Sequence, residues 1–232
     1  MEMKSNPIKI LYLIAHCGQG GDWTIVKTLA GQVSSGSAEI WLNGALWNKG
    51  DPPPDGPICI HKGWRGLLEA RQAGASLPAD LDTIHAHSPA AILMAMRLRR
   101  LHAPSARIVF TFHWPTKDTL VRKWVKTWLF AQCARIHCYS IAINDFLQEN
   151  YGVSSSRIDF NYLGVDPTRF VSITKEVKRS RREEIGWSDE NLVIGYLGRF
   201  DREKNVDWLI RFMEDAVETH PHIRLLLYGG GA

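Results

Sequence analysis

The sequence predicts an α/β protein whose parallel sheet carries helices on both faces. Short apolar segments rich in β-branched residues recur along the chain, beginning with residues 8–14 (Ile-Lys-Ile-Leu-Tyr-Leu-Ile). Stretches with apolar residues at helical spacing follow several of these segments. Strands that are almost wholly apolar are typical of parallel sheets buried on both faces. Their alternation with helices predicts a doubly wound sheet.

The elements can be assigned in order along the chain. The strand at residues 8–14 leads into Gly18-Gln19-Gly20-Gly21 and then into a helix with Trp23, Val26 and Leu29 on its apolar side. Residues 48–57 are rich in Pro, Gly and Asp and are predicted to form a loop. The further strands are predicted at residues 38–42, 82–86, 107–112, 136–139, 192–197 and 223–228.

A change in residue composition along the chain indicates two domains. Charges crowd together at residues 174–190, where the apolar pattern lapses. We therefore predict a first domain at 1–173, a linker at 174–190 and a second domain at 191–232. The last segment holds only two strands and a helix at about 203–219, too little to close a hydrophobic core. The second domain is thus expected to be incomplete.

Composition excludes several classes of protein. The 232 residues are 45% hydrophobic and 22% charged, which is typical of a globular chain and not of a disordered one. A net charge of +4 is too small to indicate nucleic-acid binding. The four cysteines form no paired motif, which favours a reducing compartment, and no segment has the length of a membrane span or signal peptide. We expect a cytoplasmic protein.

The strongest chemical motif is Gly198-Arg199-Phe200-Asp201-Arg202-Glu203-Lys204-Asn205, placed between a strand and a helix. A helix N-terminus beside fixed cations at the carboxyl edge of a sheet is suited to bind a diphosphate. Arg199 can contact two phosphate oxygens at once, and Lys204 adds a point charge. The alternative is an exposed charged turn that only caps the helix.

This motif, with the Val206-Asp207-Trp208 that follows, resembles the donor-domain signature of family 4 glycosyltransferases, which are retaining enzymes of the GT-B fold. Other segments resemble the same family in the same order along the chain. They are the glycine loop and helix at residues 20–30, the strand ends at 82–89 and 111–113, Ser140, and the segment 164–170.

The resemblance implies two Rossmann-like domains with a cleft between them, a sugar nucleotide held mostly by the second domain and an acceptor by the first. It assigns Arg199 and Lys204 to the donor diphosphate, and it implies that neither a metal nor a cofactor is needed. The backbone of Gly20 and Gly21 is assigned to the loop that approaches the donor, since a residue without Cβ permits close contact.

His113 corresponds to the acceptor-domain histidine that faces the donor sugar, and we take it as the candidate catalytic residue. A histidine at a strand end can equally be a hydrogen-bonded structural residue. His85 and His87 alternate along a strand, so we expect them to point to opposite faces, with His87 the weaker functional candidate. The other candidate cleft residues are Asp201 and Gly230; the terminal glycines form either a nucleotide-facing turn or a frayed end.

Residues 120–131 form a predicted helix with Leu120, Trp124 and Trp128 on one stripe and Arg122 and Lys123 elsewhere. Tryptophans beside cations resemble an interfacial membrane anchor, which would suit a lipid-linked acceptor. The alternative is a helix packed on the sheet with a solvated basic face.

The sequence also departs from the family pattern. The family's pair of donor-binding glutamates is absent; Glu176 and Glu184 have the spacing but precede the donor-domain strand. Leu163 and Trp23 replace residue types usual near the cleft. We therefore expect a glycosyltransferase fragment with little activity alone, acting in cell-envelope polysaccharide synthesis on a glycolipid or oligosaccharide acceptor. The alternatives are a sugar-nucleotide epimerase of the same fold and an inactive chain that serves as an interaction partner.

Overall fold

The computed structural model of the protein describes residues 8–14, 21–34, 38–44, 77 and 79–231. The chain divides into two compact units, Met1–Gly164 and Val165–Ala232. The domain limits drawn from the sequence, 1–173, 174–190 and 191–232, stay predictions.

Unit 1 is built on a six-stranded parallel sheet with the order β2-β1-β3-β4-β5-β6. The strands are β1 (Ile8–Ile14), β2 (Ala38–Gly44), β3 (Thr83–Ala86), β4 (Arg107–Thr111), β5 (Arg135–Cys138) and β6 (Ile158–Phe160). The chain moves outward from β1 to β2 and then returns to the other side of β1 to form β3. Such a reversal is the switch point of a doubly wound sheet, where the carboxyl ends of the strands border a crevice.

Four helices are described in unit 1: α1 (Gly21–Ser34), α2 (Pro89–Leu101), α3 (Leu120–Ala131) and α4 (Ile141–Tyr151). Local sequence sets where they begin. The Ser88 hydroxyl accepts a hydrogen bond from the Ala91 amide at 3.1 Å, and the Ser140 hydroxyl accepts one from the Ile143 amide at 3.2 Å. Both serines satisfy amides that have no partner within the helix. Gly152, at a φ of 63°, then ends α4 in the left-handed conformation that glycine tolerates best.

The core of unit 1 is the sheet itself and the helix faces against it. Ile84, Ile108 and Ile136 lie on adjacent strands and are fully buried, as expected for a parallel sheet covered on both faces. Aromatic rings extend this core beside β4, where Phe110 stacks on Phe130 with ring centroids 5.2 Å apart. The predicted strand positions are confirmed, and β6, a short segment at the sheet edge, is an addition that the sequence pattern did not indicate.

Unit 2 contains α5 (Lys175–Glu183), β7 (Leu192–Leu197), α6 (Val206–Thr219) and β8 (Ile223–Tyr228), with β7 and β8 parallel. The bounds of β7 and β8 agree with the prediction. Few of its described side chains are buried, while large apolar groups remain exposed, such as Leu197 at 80% and Tyr228 at 72%. Two strands and one packed helix cannot cover both sheet faces, which accounts for this exposure.

Candidate active site

Histidines collect at the carboxyl edge of the sheet in unit 1. His85 lies near the end of β3 and His87 just after it, His113 follows β4, and His137 lies on β5. Because β3, β4 and β5 are neighbours and parallel, their ends meet at one edge. The rings of His85 and His87 have centroids 4.4 Å apart, and those of His87 and His113 are 5.3 Å apart. The edge therefore carries three imidazoles in successive contact, with His137 on the next strand.

The two histidines named from the sequence, His87 and His113, are brought into direct contact. His87 Nδ1 and His113 Nε2 are 3.1 Å apart, a hydrogen bond between ring nitrogens. His87 is only 4% exposed, and its Nε2 has no hydrogen-bond partner within the described part of the chain. The catalytic assignment of His113 and the cleft assignment of His87 stay predictions.

The expectation that His85 and His87 point to opposite faces is wrong. Residues two apart on a strand share a face, because side chains alternate with a period of two. The close approach of the two rings follows directly from this period. His85 is held by a second contact, a hydrogen bond of 2.7 Å between its Nε2 and the Thr111 hydroxyl on β4.

Burial lowers the pKa values of His85, His87 and His137, which favours their uncharged forms at neutral pH. It lowers the pKa of His85 to about 3, with the neighbouring His137 and His113 lowering it further. The pKa of His87 lies well below its ordinary value, mainly because the ring is buried and secondly because His85 and other histidines are close to it. The pKa of His137 is also lowered by burial, although the charge of Asp159 acts in the opposite direction. These rings can donate and accept hydrogen bonds but do not supply positive charge.

The loop that carries His113 is anchored by Asp118. This carboxylate, with a side chain 7% exposed, forms an ion pair of 2.7 Å with Lys126 of α3. It also accepts hydrogen bonds from the Tyr151 hydroxyl of α4 at 2.6 Å and the Thr116 hydroxyl at 3.0 Å. The loop after β4 is therefore tied to two helices, which restricts the positions open to His113.

In unit 2, the segment after β7 holds the predicted phosphate contacts. Arg199 is 70% exposed at its side chain and forms an ion pair of 3.1 Å with Asp201. Lys204 ends a short 3-10 turn, and Asn205, at a φ of 52°, enters α6 without a side-chain cap. The N-terminus of α6 thus presents backbone amides, and the segment before it carries an exposed guanidinium; both groups are suited to an anion.

The glycines after β8 lie against this same segment. The Gly198 amide donates to the Tyr228 carbonyl at 3.0 Å, and the Phe200 amide donates to the Gly230 carbonyl at 2.9 Å. A Cβ at Gly229 would collide with the carbonyl oxygen of Gly198, so the approach requires glycine there. Gly230 therefore borders the segment that contains Arg199 and Asp201, and its role as a cleft residue stays a prediction.

The remaining predicted residues are placed only in part. Gly20 lies outside the described residues, while Gly21 is the first residue of α1. Within the described ranges, no three His, Cys, Asp or Glu side chains are arranged to hold a metal ion. Likewise, none of the helices described is long and apolar enough to cross a membrane.

Sequence reasoning missed His137, Thr111 and Asp118. The signal for His137 was present, because three successive predicted strands each carry a histidine within the strand or just beyond its end. Thr111 and His137 are register partners on β4 and β5, so the strand ends coincide. Asp118 gave no such signal, since its partners Lys126 and Tyr151 come from two later helices.

The architecture is that of GT-B glycosyltransferases. HepE of Anabaena, solved with UDP and glucose, superposes with a TM-score of 0.68 at 13% identity, covering 95% of this chain and 69% of that one. Sucrose-phosphate synthase of Thermosynechococcus elongatus gives 0.70 at 14% identity, covering 95% and 62%. The starch synthase IV catalytic domain of Arabidopsis thaliana, bound to ADP and acarbose, gives 0.68 at 13% identity, covering 97% and 69%. The TM-scores show a shared fold, and at identities this low the similarity shows the fold alone.

The family follows from the sequence match. Residues 31–169 match the family described as Glycosyltransferase Family 4, and the chain belongs to that family. An uncharacterized glycosyltransferase of Methanocaldococcus jannaschii is 27% identical over 99 residues. That alignment covers 40% of this chain and 25% of the relative, so the chain spans only a part of its relative's length.

Proposed function

We propose that this chain takes part in the transfer of a hexose from a nucleotide-diphosphate sugar to a hydroxyl acceptor, with retention of configuration. The observation that carries the proposal is the segment between β7 and α6, where Arg199 and Lys204 precede an uncapped helix N-terminus. Membership of glycosyltransferase family 4 supports it. The enzymes of similar fold include one solved with UDP and one with ADP.

The chemistry assigned to this segment is charge neutralisation. When the bond between the anomeric carbon of the sugar and the diphosphate breaks, the diphosphate leaves with added negative charge. Fixed cations stabilise that charge. Arg199 offers a planar fork of donors for two phosphate oxygens, and its exposed ion pair with Asp201 is weak enough to exchange for a phosphate. Lys204 supplies a second charge. In this proposal the basic side chains take the place of a metal ion, and no cofactor takes part.

In the proposal, the histidines of unit 1 are assigned to the donor sugar. His113 contacts the donor sugar, and His87 lies behind it in the sheet edge. Gly20, Gly21 and Gly230 are the positions where a ligand can approach the backbone. The acceptor is a glycolipid or an oligosaccharide of a cell-envelope polysaccharide.

The surface of α3 favours a lipid-linked acceptor and a peripheral site on the inner face of the membrane. The stripe foreseen in the sequence faces solvent, with Leu120, Trp124 and Trp128 exposed by 87%, 72% and 45%. Of α3, Leu129 and Phe130 are the buried residues, so the helix packs on the core through its last turn, and the exposed stripe supports the membrane proposal. No residue of α3 is acidic, and of its three basic residues Lys126 is paired with Asp118, which leaves Arg122 and Lys123 to complement an anionic lipid surface.

Vesicle co-sedimentation tests this contact. We expect the protein to bind vesicles of anionic lipid at low salt but not neutral vesicles, and we expect loss of binding in the double variant Trp124→Ser, Trp128→Ser. Trp187→Ser, a tryptophan of unit 2, is the control and should bind like the unmodified chain. Failure of the unmodified chain to sediment with anionic vesicles would end the membrane proposal.

A binding titration tests the donor site. UDP is titrated against the labelled protein by NMR, which detects weak complexes, and Arg199→Gln and Lys204→Gln are compared with Arg179→Gln of α5. Loss of a charge-assisted hydrogen bond is expected to weaken binding about ten-fold in each site variant, with no change in the control. Equal UDP affinity for the unmodified chain and all three variants would contradict the assignment of the diphosphate site.

A product assay distinguishes the enzyme classes. Sugar nucleotides are incubated with the protein with and without a hydroxyl acceptor, and the products are separated and their anomeric configuration is determined. Transfer that depends on the acceptor and keeps the configuration supports the proposal. Conversion of the sugar nucleotide without any acceptor would indicate an epimerase instead.

A further inference from the structure

The contact between His87 and His113 restricts the positions of their protons. In this contact a single proton lies between His87 Nδ1 and His113 Nε2, which are 3.1 Å apart. Two arrangements satisfy the bond. Either His113 Nε2–H donates to His87 Nδ1, or His87 Nδ1–H donates to His113 Nε2.

The surroundings of His87 favour the second arrangement. A neutral imidazole carries one proton, so in the first arrangement His87 would carry it on Nε2. That atom is buried and has no hydrogen-bond partner in the described part of the chain. A buried N–H without an acceptor is rarer in proteins than a buried acceptor without a donor. With its proton on Nδ1 instead, His87 uses its one donor on His113.

The charged form of His87 does not offer a third arrangement at neutral pH. Burial, together with His85, His113 and His137, lowers its pKa well below the ordinary value. Tyr12, whose pKa burial raises to about 12, packs against the same ring with centroids 6.0 Å apart and also stays neutral. The pair therefore keeps a single shared proton.

We propose that His87 is a positioning residue that fixes His113 as the tautomer protonated on Nδ1, by donating its own Nδ1–H to His113 Nε2. His113 then meets a sugar hydroxyl as a hydrogen-bond donor and does not act there as a base. This step rests on the proposed function, since it assumes that His113 faces the donor sugar. The tautomer itself does not depend on that assumption.

Ring nitrogen NMR tests the tautomer in the unmodified 232-residue chain, because protonated and bare imidazole nitrogens differ strongly in 15N chemical shift. We expect a bare Nε2 and a protonated Nδ1 for His113, and a protonated Nδ1 for His87. A protonated Nε2 on His113 would overturn the proposal. This measurement needs no variant and no substrate.

Two variants test whether His87 sets the tautomer. His87→Asn keeps an N–H donor close to the position of Nδ1, whereas His87→Phe keeps a ring of similar size and has no donor. We expect His113 to keep its tautomer in the asparagine variant and to become a mixture in the phenylalanine variant. An unchanged His113 tautomer in a folded phenylalanine variant would contradict the role assigned to His87.

A kinetic comparison separates this inference from the proposed function. In the sugar-transfer assay we expect His87→Phe to lower kcat about ten-fold, with KM for the sugar nucleotide little changed, and His87→Asn to restore most of the rate. A changed tautomer with an unchanged rate would refute the positioning role. Absence of UDP binding by the unmodified chain, with the expected tautomer present, would refute the proposed function alone.

Discussion

Replacing Asp118 with asparagine should loosen the loop that carries His113. The carboxylate is 7% exposed and its partner Lys126 is 17% exposed, so the ion pair is largely removed from water. Asparagine has nearly the same volume and can still accept a hydrogen bond from the Tyr151 or Thr116 hydroxyl. What is lost is the negative charge opposite Lys126.

The size of the effect follows from this geometry. Removing one partner of a buried ion pair costs about 3–5 kcal/mol, and partial access of water to Lys126 favours the lower end. We therefore expect the free energy of unfolding to fall by about 3 kcal/mol. For a unit of this size, 1 kcal/mol shifts Tm by about 2–4 °C, so a decrease of about 6–12 °C is expected.

The pH dependence gives a second signature. Burial raises the pKa of Asp118, but hydrogen bonds from Lys126, Tyr151 and Thr116 and the charge of Lys126 together hold it below its ordinary value. The stability that this carboxylate provides is complete above about pH 4 and is lost as the pH falls through the folded pKa. The difference between the unmodified protein and the variant should therefore narrow in acid.

The assay is thermal unfolding followed by circular dichroism at several pH values. Asp80→Asn is the matched control, because that carboxylate is 71% exposed and pairs only at the surface with Lys9. We expect no measurable shift of Tm for the control. A shift for Asp118→Asn as small as that of the control, or a difference that does not narrow in acid, would refute the reasoning.

Three further predictions concern other parts of the fold. Gly229→Ala should disrupt the segment after β7 and abolish UDP binding in the NMR titration, because its Cβ meets the Gly198 carbonyl, whereas Gly195→Ala in β7 meets nothing within 4 Å and should leave binding intact. Ser140→Ala should lower the urea unfolding free energy by about 1 kcal/mol, since it removes the cap of α4; a loss near zero would contradict the role of this hydrogen bond. Acid should destabilise unit 1 below about pH 6.5, because the histidines whose pKa is lowered by folding, His85 foremost, take up protons more readily when unfolded; equal urea midpoints at pH 7 and pH 5 would contradict this.

Much of the fold could be predicted from local sequence. The bounds of β1, β7 and β8 agree with the apolar segments that predict them, because a strand buried on both faces must be apolar throughout. The short edge strand β6 was missed, since three residues are too few to show a pattern. The segment at 174–190 contains α5, whose Arg179–Glu183 and Arg181–Glu184 pairs stabilise a helix without any buried residue.

The candidate site could be predicted only as separate residues. The sequence singled out His87, His113, Arg199 and Lys204, and a family resemblance supplied their roles. The sequence did not show which of these residues are in contact. The prediction that His85 and His87 point to opposite faces was wrong, because residues two apart on a strand share a face. The anchor at Asp118 depends on Tyr151, which lies 33 residues away in the chain.

The sequence by itself thus determined the class of fold and the segment suited to a diphosphate, because apolar periodicity and a strand–loop–helix motif are local properties of the chain. Only the tertiary structure decided that His87 and His113, 26 residues apart, share a proton. That contact requires β3 and β4 to be neighbours in a particular register, with the side chains after both strands turned toward each other. Strand order, register and burial are collective properties of the folded sheet, and they determine which ring nitrogens meet.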